Sequence, residues 1–149
     1  MFCNEYAINT ADTSKGLPGV LYGRYQGDSY AGGNPWVLST AALASLFYRG
    51  AIDILAHGVP SASVLDAWKK AFNTQTALPT SASALAKFFA AQGDGVLLRL
   101  RSHVTARGFH LDEQIDRNNG AQISAKDLTW SYAEVLNAMS HRKNYLSRA

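Results

Sequence analysis

Apolar positions along the chain gather into four stretches separated by polar, glycine-containing loops. From Trp36 to His57 the sequence is apolar on nearly every face, with Val37, Leu38, Ala41, Leu43, Leu46, Phe47, Ile52, Ile54 and Leu55. A helix of that kind is built to be buried on most sides. Asn34 and Pro35 ahead of it read as an N-cap and a first-turn proline. Gly58 and Pro60 stop it, so the spacing predicts a helix over 35–57. Val64, Leu65, Trp68 and Phe72 predict a second, amphipathic helix over 61–74. Leu85, Phe88, Phe89, Val96, Leu97, Leu100 and Val104 recur at steps of three or four and predict a third over 81–106, with the Gly-Asp-Gly at 93–95 weakening or splitting it. The last helix, over 125–142, carries Leu128, Trp130, Tyr132, Val135 and Leu136. Ser124 with Asp127 three places on resembles a capping box at its start.

No strand-like alternation of any length occurs, so the class is all-α with no sheet expected. Residues 1–33 are irregular, rich in Gly, Asp, Ser and Tyr, and too aromatic for a loose linker. The helix over 35–57 wants partners on several sides, and three companions of ordinary amphipathicity are few. The chain reads as a slice of a larger helical structure.

Composition narrows the chemistry. At 149 residues, 47% apolar and 17% charged, this is about one packed domain in length. The net charge is +3, and no basic run interleaved with aromatics points to nucleic acid. Cys3 is the one cysteine, which rules out an internal disulfide and a cysteine-based metal site. His57, His103, His110 and His141 lack the zinc spacing and read as surface or loop residues. No apolar stretch reads as long enough to span a membrane, and no signal peptide is visible.

Two loops hold most of the unusual residues, each just upstream of a predicted helix: GRYQGDSYAGGNPW at 23–36 and LDEQIDRNNGAQIS at 111–124. Aromatic planes beside arginine, amides and carboxylates are what a sugar site uses, since ring C–H faces stack while hydroxyls bond in several directions.

These blocks, and above all SAKDLTWSYA at 124–133, resemble the C-terminal part of the catalytic domain of the inverting glucoamylases. The likeness runs from about Phe2 to Asn144 and covers about the last third of that domain. It implies an incomplete segment of an α/α toroid of six helical hairpins, with about four helices present. The implied activity is exo-hydrolysis of α-1,4-glucans (starch, glycogen, maltooligosaccharides), releasing β-glucose by inversion, with no cofactor or metal and no nucleic-acid or membrane partner. Secretion and a vacuolar location are both compatible with it.

By the same resemblance Glu113 is similar to the general base, and Ser124 to the serine that hydrogen-bonds it. Arg24 matches the arginine that holds the terminal glucose. Tyr30 and Trp36 match aromatics of the neighbouring subsite, although Trp36 also reads as a core residue at a helix start. Trp130 resembles a wall residue near the base, with core packing as the other reading. Gly27 stands where the family usually has an acid, and Ala31 and Gly32 where it has bulkier polar residues, which puts the second glucose subsite in doubt. The family's general acid lies upstream of the matched part. Asp112 is too close to Glu113 to replace it and Asp28 sits in the ligand loop, so this chain alone is expected to be inactive. The alternative is a non-catalytic helical glucan-binding or scaffold module.

Overall fold

The computed structural model describes residues 2–72 and 74–149. Its framework is helical: α1 (Ala7–Ser14), α2 (Val37–His57), α3 (Ala62–Phe72), α4 (Ala82–Val104) and α5 (Thr129–Leu146). Three short 3-10 turns accompany them, at Phe2–Asn4, Tyr30–Gly32 and Thr105–Arg107. One two-stranded antiparallel hairpin, β1 (Gln114–Ile115) and β2 (Gln122–Ile123), corrects the expectation of no sheet. Strands of two residues cannot show an alternation.

α2 packs along both α4 and α5, which explains why its sequence is apolar all round. By length and composition it is also a candidate membrane span, at 21 residues and mean hydropathy 1.3, which corrects the reading that no stretch is long enough. Val37, Ala41, Ala44, Phe47, Tyr48, Ala51 and Ile54 are buried against its neighbours. α3 closes one side through an aromatic cluster, with Trp68 and Phe72 edge-on to Phe89 at 4.8 and 4.9 Å. Asn73, inside the helix expected over 61–74, lies outside the described residues.

α4 runs unbroken through Gly93 and Gly95, so the expected weakening there does not split it. Both glycines mark close approach: a Cβ on Gly93 would meet the Tyr48 ring at 2.8 Å, and one on Gly95 would meet Gly19 and Pro18 at 3.3 Å. Ser81 caps α4, accepting from the Ala84 N–H.

Residues 2–33 are held by polar contacts, and they include α1, which periodicity missed. Asn9 is buried, and its side chain bonds Phe2 O and Leu21 O at 3.0 Å and the Leu21 N–H at 2.9 Å. Arg99, fully buried in α4, reaches Asp12 and the carbonyls of Asn9, Leu17 and Pro18. His103 joins Asp12 at 2.7 Å and Gly120 O at 3.0 Å, and His141 joins Ser45 at 2.6 Å. These two histidines are therefore tied into the structure, against the surface-or-loop reading. A second apolar cluster of Phe2, Tyr6, Ile8, Leu21, Val37, Leu100, Leu111 and Ile115 underlies the loops where the candidate site lies.

Candidate active site

The loop over 23–36 is built around Asp28. This buried carboxylate accepts Arg24 Nε and Nη2, both at 2.7 Å, and the Tyr30 N–H at 3.0 Å. The Arg24 hydrogen bond, aided by the Tyr30 amide, holds the Asp28 carboxyl down at about 2 against burial, which pushes the other way. The same bond raises the Arg24 guanidinium above its ordinary value. The guanidinium lies 4.6 Å from the centre of the Tyr30 ring, 5.5 Å from Tyr25 and 5.6 Å from Trp36. A cation set among three rings and locked by a bidentate carboxylate is a rigid donor group.

Trp36 is 8% exposed, whereas Tyr30 is 61% and Trp130 60% exposed. The core reading therefore fails for Trp130 and fits Trp36. The Trp36 Nε1 is buried without a hydrogen-bond partner among the described residues, which costs about 1–3 kcal/mol where no acceptor is supplied. Trp36 precedes α2 with no side-chain cap, which corrects the N-cap expected at Asn34. Asn34 is buried and bonds across instead, giving its amide N–H to Ala31 O and Gln114 Oε1 and accepting the Arg117 N–H at 3.1 Å.

Those bonds join the two loops at the same end of the helices. The Val37 N–H donates to Glu113 O at 3.1 Å, the Ile115 N–H to Pro35 O at 3.0 Å, and Trp36 pairs with Gln114 in an isolated bridge. The Glu113 N–H donates to Ala125 O at 2.9 Å, so both backbone groups of this residue are fixed. Its side chain is half-buried. Ser124 Oγ and Gln114 Nε2, the latter at 3.2 Å, both donate to Glu113 Oε2.

Ser124 is not a helix cap. It lies at φ +72° in the turn after β2, and α5 begins five residues later behind Leu128. Asp127, the other half of the expected capping box, lies at φ +51° and accepts from Tyr132 Oη and His110 Nδ1, both at 2.7 Å. Those bonds, Tyr132 first, lower its carboxyl below the ordinary value. The described non-glycine residues in the left-handed region are Ala31, Phe109, Ser124 and Asp127, all in or beside the two loops. Such strain gathers where surrounding structure overdetermines a functional geometry.

Sequence reasoning missed Asp112, Arg107 and Arg117 as supports. Arg117 gives Nη1 to Gly33 O at 3.2 Å and Nη2 to Glu5 O at 2.9 Å. Bonds that span more than 80 residues leave no periodic signal. Among the described residues no three His, Cys, Asp or Glu side chains converge as a metal site would. The arrangement suits acid–base chemistry: a tethered carboxylate on one loop, joined by backbone bonds to a second loop that carries a fixed guanidinium.

The sequence pattern of glycosyl hydrolases family 15 matches residues 1–140. A glucoamylase of Blastobotrys adeninivorans is 33% identical over 98% of this chain and 27% of its own length. The solved glucoamylase of Hypocrea jecorina is 33% identical with a TM-score of 0.77, over 97% of this chain and 25% of that one. That of Hormoconis resinae is 29% identical with a TM-score of 0.78, over 97% and 26%. The chain thus spans about a quarter of the length of the relatives it matches.

Proposed function

The chain belongs to glycosyl hydrolases family 15, and on that premise we propose that it forms the base-bearing part of a glucoamylase-like catalytic domain. The activity is exo-hydrolysis of α-1,4-glucans such as starch, glycogen and maltooligosaccharides, releasing β-D-glucose by inversion. The observation that carries this reading is the Glu113 carboxylate, held at one oxygen by Ser124 and Gln114 on a hairpin clamped to the Arg24 loop.

Inversion needs two carboxyl groups roughly 6.5–9.5 Å apart, with a water between base and sugar. Glu113 takes a proton from that water as its oxygen bonds to the anomeric carbon. The glycosidic C–O bond breaks on the opposite face, and the leaving oxygen takes a proton from the acid. Ser124 and Gln114 occupy Oε2, which leaves Oε1 for the water. Arg24 has its Nε and Nη2 on Asp28, and its Nη1 has no partner among the described side chains, so it is the donor for sugar hydroxyls. Tyr30 and Trp130, both exposed, offer ring surface to sugar C–H groups, and Trp36 lies against the Arg24 guanidinium. By the family resemblance the acid is assigned to a part of the catalytic domain outside the matched segment; within it, Asp112 is engaged by Arg107 and Asp28 by Arg24. By this reading the segment alone does not hydrolyse glucan.

The test is the anomer first released when a complete catalytic domain carrying this segment acts on a long maltooligosaccharide, where each early cut frees one glucose from the non-reducing end, followed by proton NMR before mutarotation. β-Glucose is expected. α-Glucose would exclude inversion, and glucan binding without any glucose would favour a non-catalytic binding module. That second reading draws on the short span of the chain against its relatives.

A further inference from the structure

Asp112 immediately precedes Glu113 and is 1% exposed. Each of its polar groups is bonded to a different place in the chain. Its N–H donates to Gln122 Oε1 on β2, and its carbonyl accepts Ser131 Oγ in the first turn of α5, both at 2.9 Å. Carboxylate Oδ1 accepts the Asp127 N–H at 3.2 Å, and Oδ2 accepts Arg107 Nη1. Four ties from four segments therefore meet one residue before the candidate base.

We propose that Asp112, paired with Arg107, is a positioning residue that fixes Glu113 and so aims the water the base activates. This rests on Glu113 being the base. A neutral side chain of the same size would satisfy one neighbour or the other. A carboxylate accepts from an amide and a guanidinium together, and charge-assisted bonds are roughly twice as strong as neutral ones. Burying that charge is costly unless it is paired. Arg107 supplies the pairing, from the turn that follows α4. Helix α4, the hairpin and α5 are thereby locked around the backbone that carries Glu113. The two side-chain donors to Glu113, Ser124 and Gln114, hold the carboxylate itself. Asp112 instead holds the frame from which it projects.

The experiment is a double-mutant cycle of Asp112→Asn and Glu113→Gln in a full-length catalytic domain carrying this segment. Asp112→Asn keeps an acceptor for the Asp127 N–H but turns an amide NH2 against Arg107. On a maltooligosaccharide, kcat should fall about tenfold to a hundredfold with KM nearly unchanged, because a base displaced by a fraction of an ångström loses its aim. In the Glu113→Gln background the same change should cost nothing further, since the group it positions is gone. An equal loss in both backgrounds would overturn the proposal and make Asp112 a support of the fold alone. A fully active Glu113→Gln would instead remove the base, and the proposal with it. Should Asp112→Asn fail to fold, Arg107→Gln serves, because Arg107 is partly exposed. It should lower kcat by about tenfold, and an unchanged kcat would overturn the pairing. Amide exchange needs no turnover: in Asp112→Asn it should quicken at Glu113 and Asp127 and stay unchanged at Tyr48, and equal protection in variant and parent would sink the four-way anchoring.

Discussion

Ser124 accepts a backbone conformation that side chains ordinarily avoid, φ +72°, in order to point its hydroxyl at Glu113. Strain of this kind costs on the order of 1–3 kcal/mol, so a glycine there relieves the backbone while removing the donor. Ser124→Ala and Ser124→Gly should therefore lose similar amounts of kcat, less than Glu113→Gln loses, and mainly displace the pH–rate profile. A glycine variant with full rate would mean that the hydroxyl is dispensable. Asp28 gives a pH prediction of definite sign. Its folded value lies below the ordinary 3.8, so the Arg24–Asp28 contribution is full above that pH and is lost as pH falls through about 2. The Arg24 Nε proton resonance should hold its position at pH 3.8 and move only as the pH approaches 2. A shift centred near 3.8 would show that the pair does not form.

Among the elements, those driven by apolar periodicity were legible and those held by polar contacts were not. Leu85, Phe89, Val96 and Leu100 announced α4, and the buried face of α2 followed from its composition. Helix α1 was invisible because its buried residues include the polar Asn9 and Asp12, whose side chains bond Leu21 and the distant His103 instead of following an apolar period. The Ser124–Asp127 pattern misplaced the start of α5 because both residues turn left-handed and spend their side chains on Glu113, His110 and Tyr132. Gly93 was read as a weakness of α4 and is a fitting for Tyr48. Gly93→Ala would gain about 1 kcal/mol of helix propensity and lose about 1–3 kcal/mol by overpacking against a fully buried ring. The denaturation midpoint should fall, and a rise would mean that Tyr48 moves aside at little cost.

At the scale of the whole molecule the fold is mostly helical and matches about a quarter of the solved glucoamylases, consistent with a segment of their α/α toroid. Leu98 on α4, Leu136 and Met139 on α5, and Phe109 between them stay exposed, and we propose that other parts of a complete catalytic domain cover them. The residue types of the two loops pointed towards a sugar site, and the family resemblance supplied the role proposed for each residue. Their supports, Asn34, Asp112 and Arg117, bond residues that are distant in sequence or act through backbone groups. The 149-residue chain by itself should release no glucose and bind maltooligosaccharides at best in the millimolar range (about 4 kcal/mol), because a partial pocket desolvates few groups. Titration calorimetry checks this, with Trp36→Ala expected to abolish what binding there is, and binding unchanged in that variant would make Trp36 packing alone. The most direct test of the account is Glu113→Gln in a complete catalytic domain carrying this segment, with kcat and maltooligosaccharide affinity measured together. The account predicts affinity nearly intact and kcat lower by about two to four orders of magnitude, the usual worth of a general base; an unchanged kcat would contradict it.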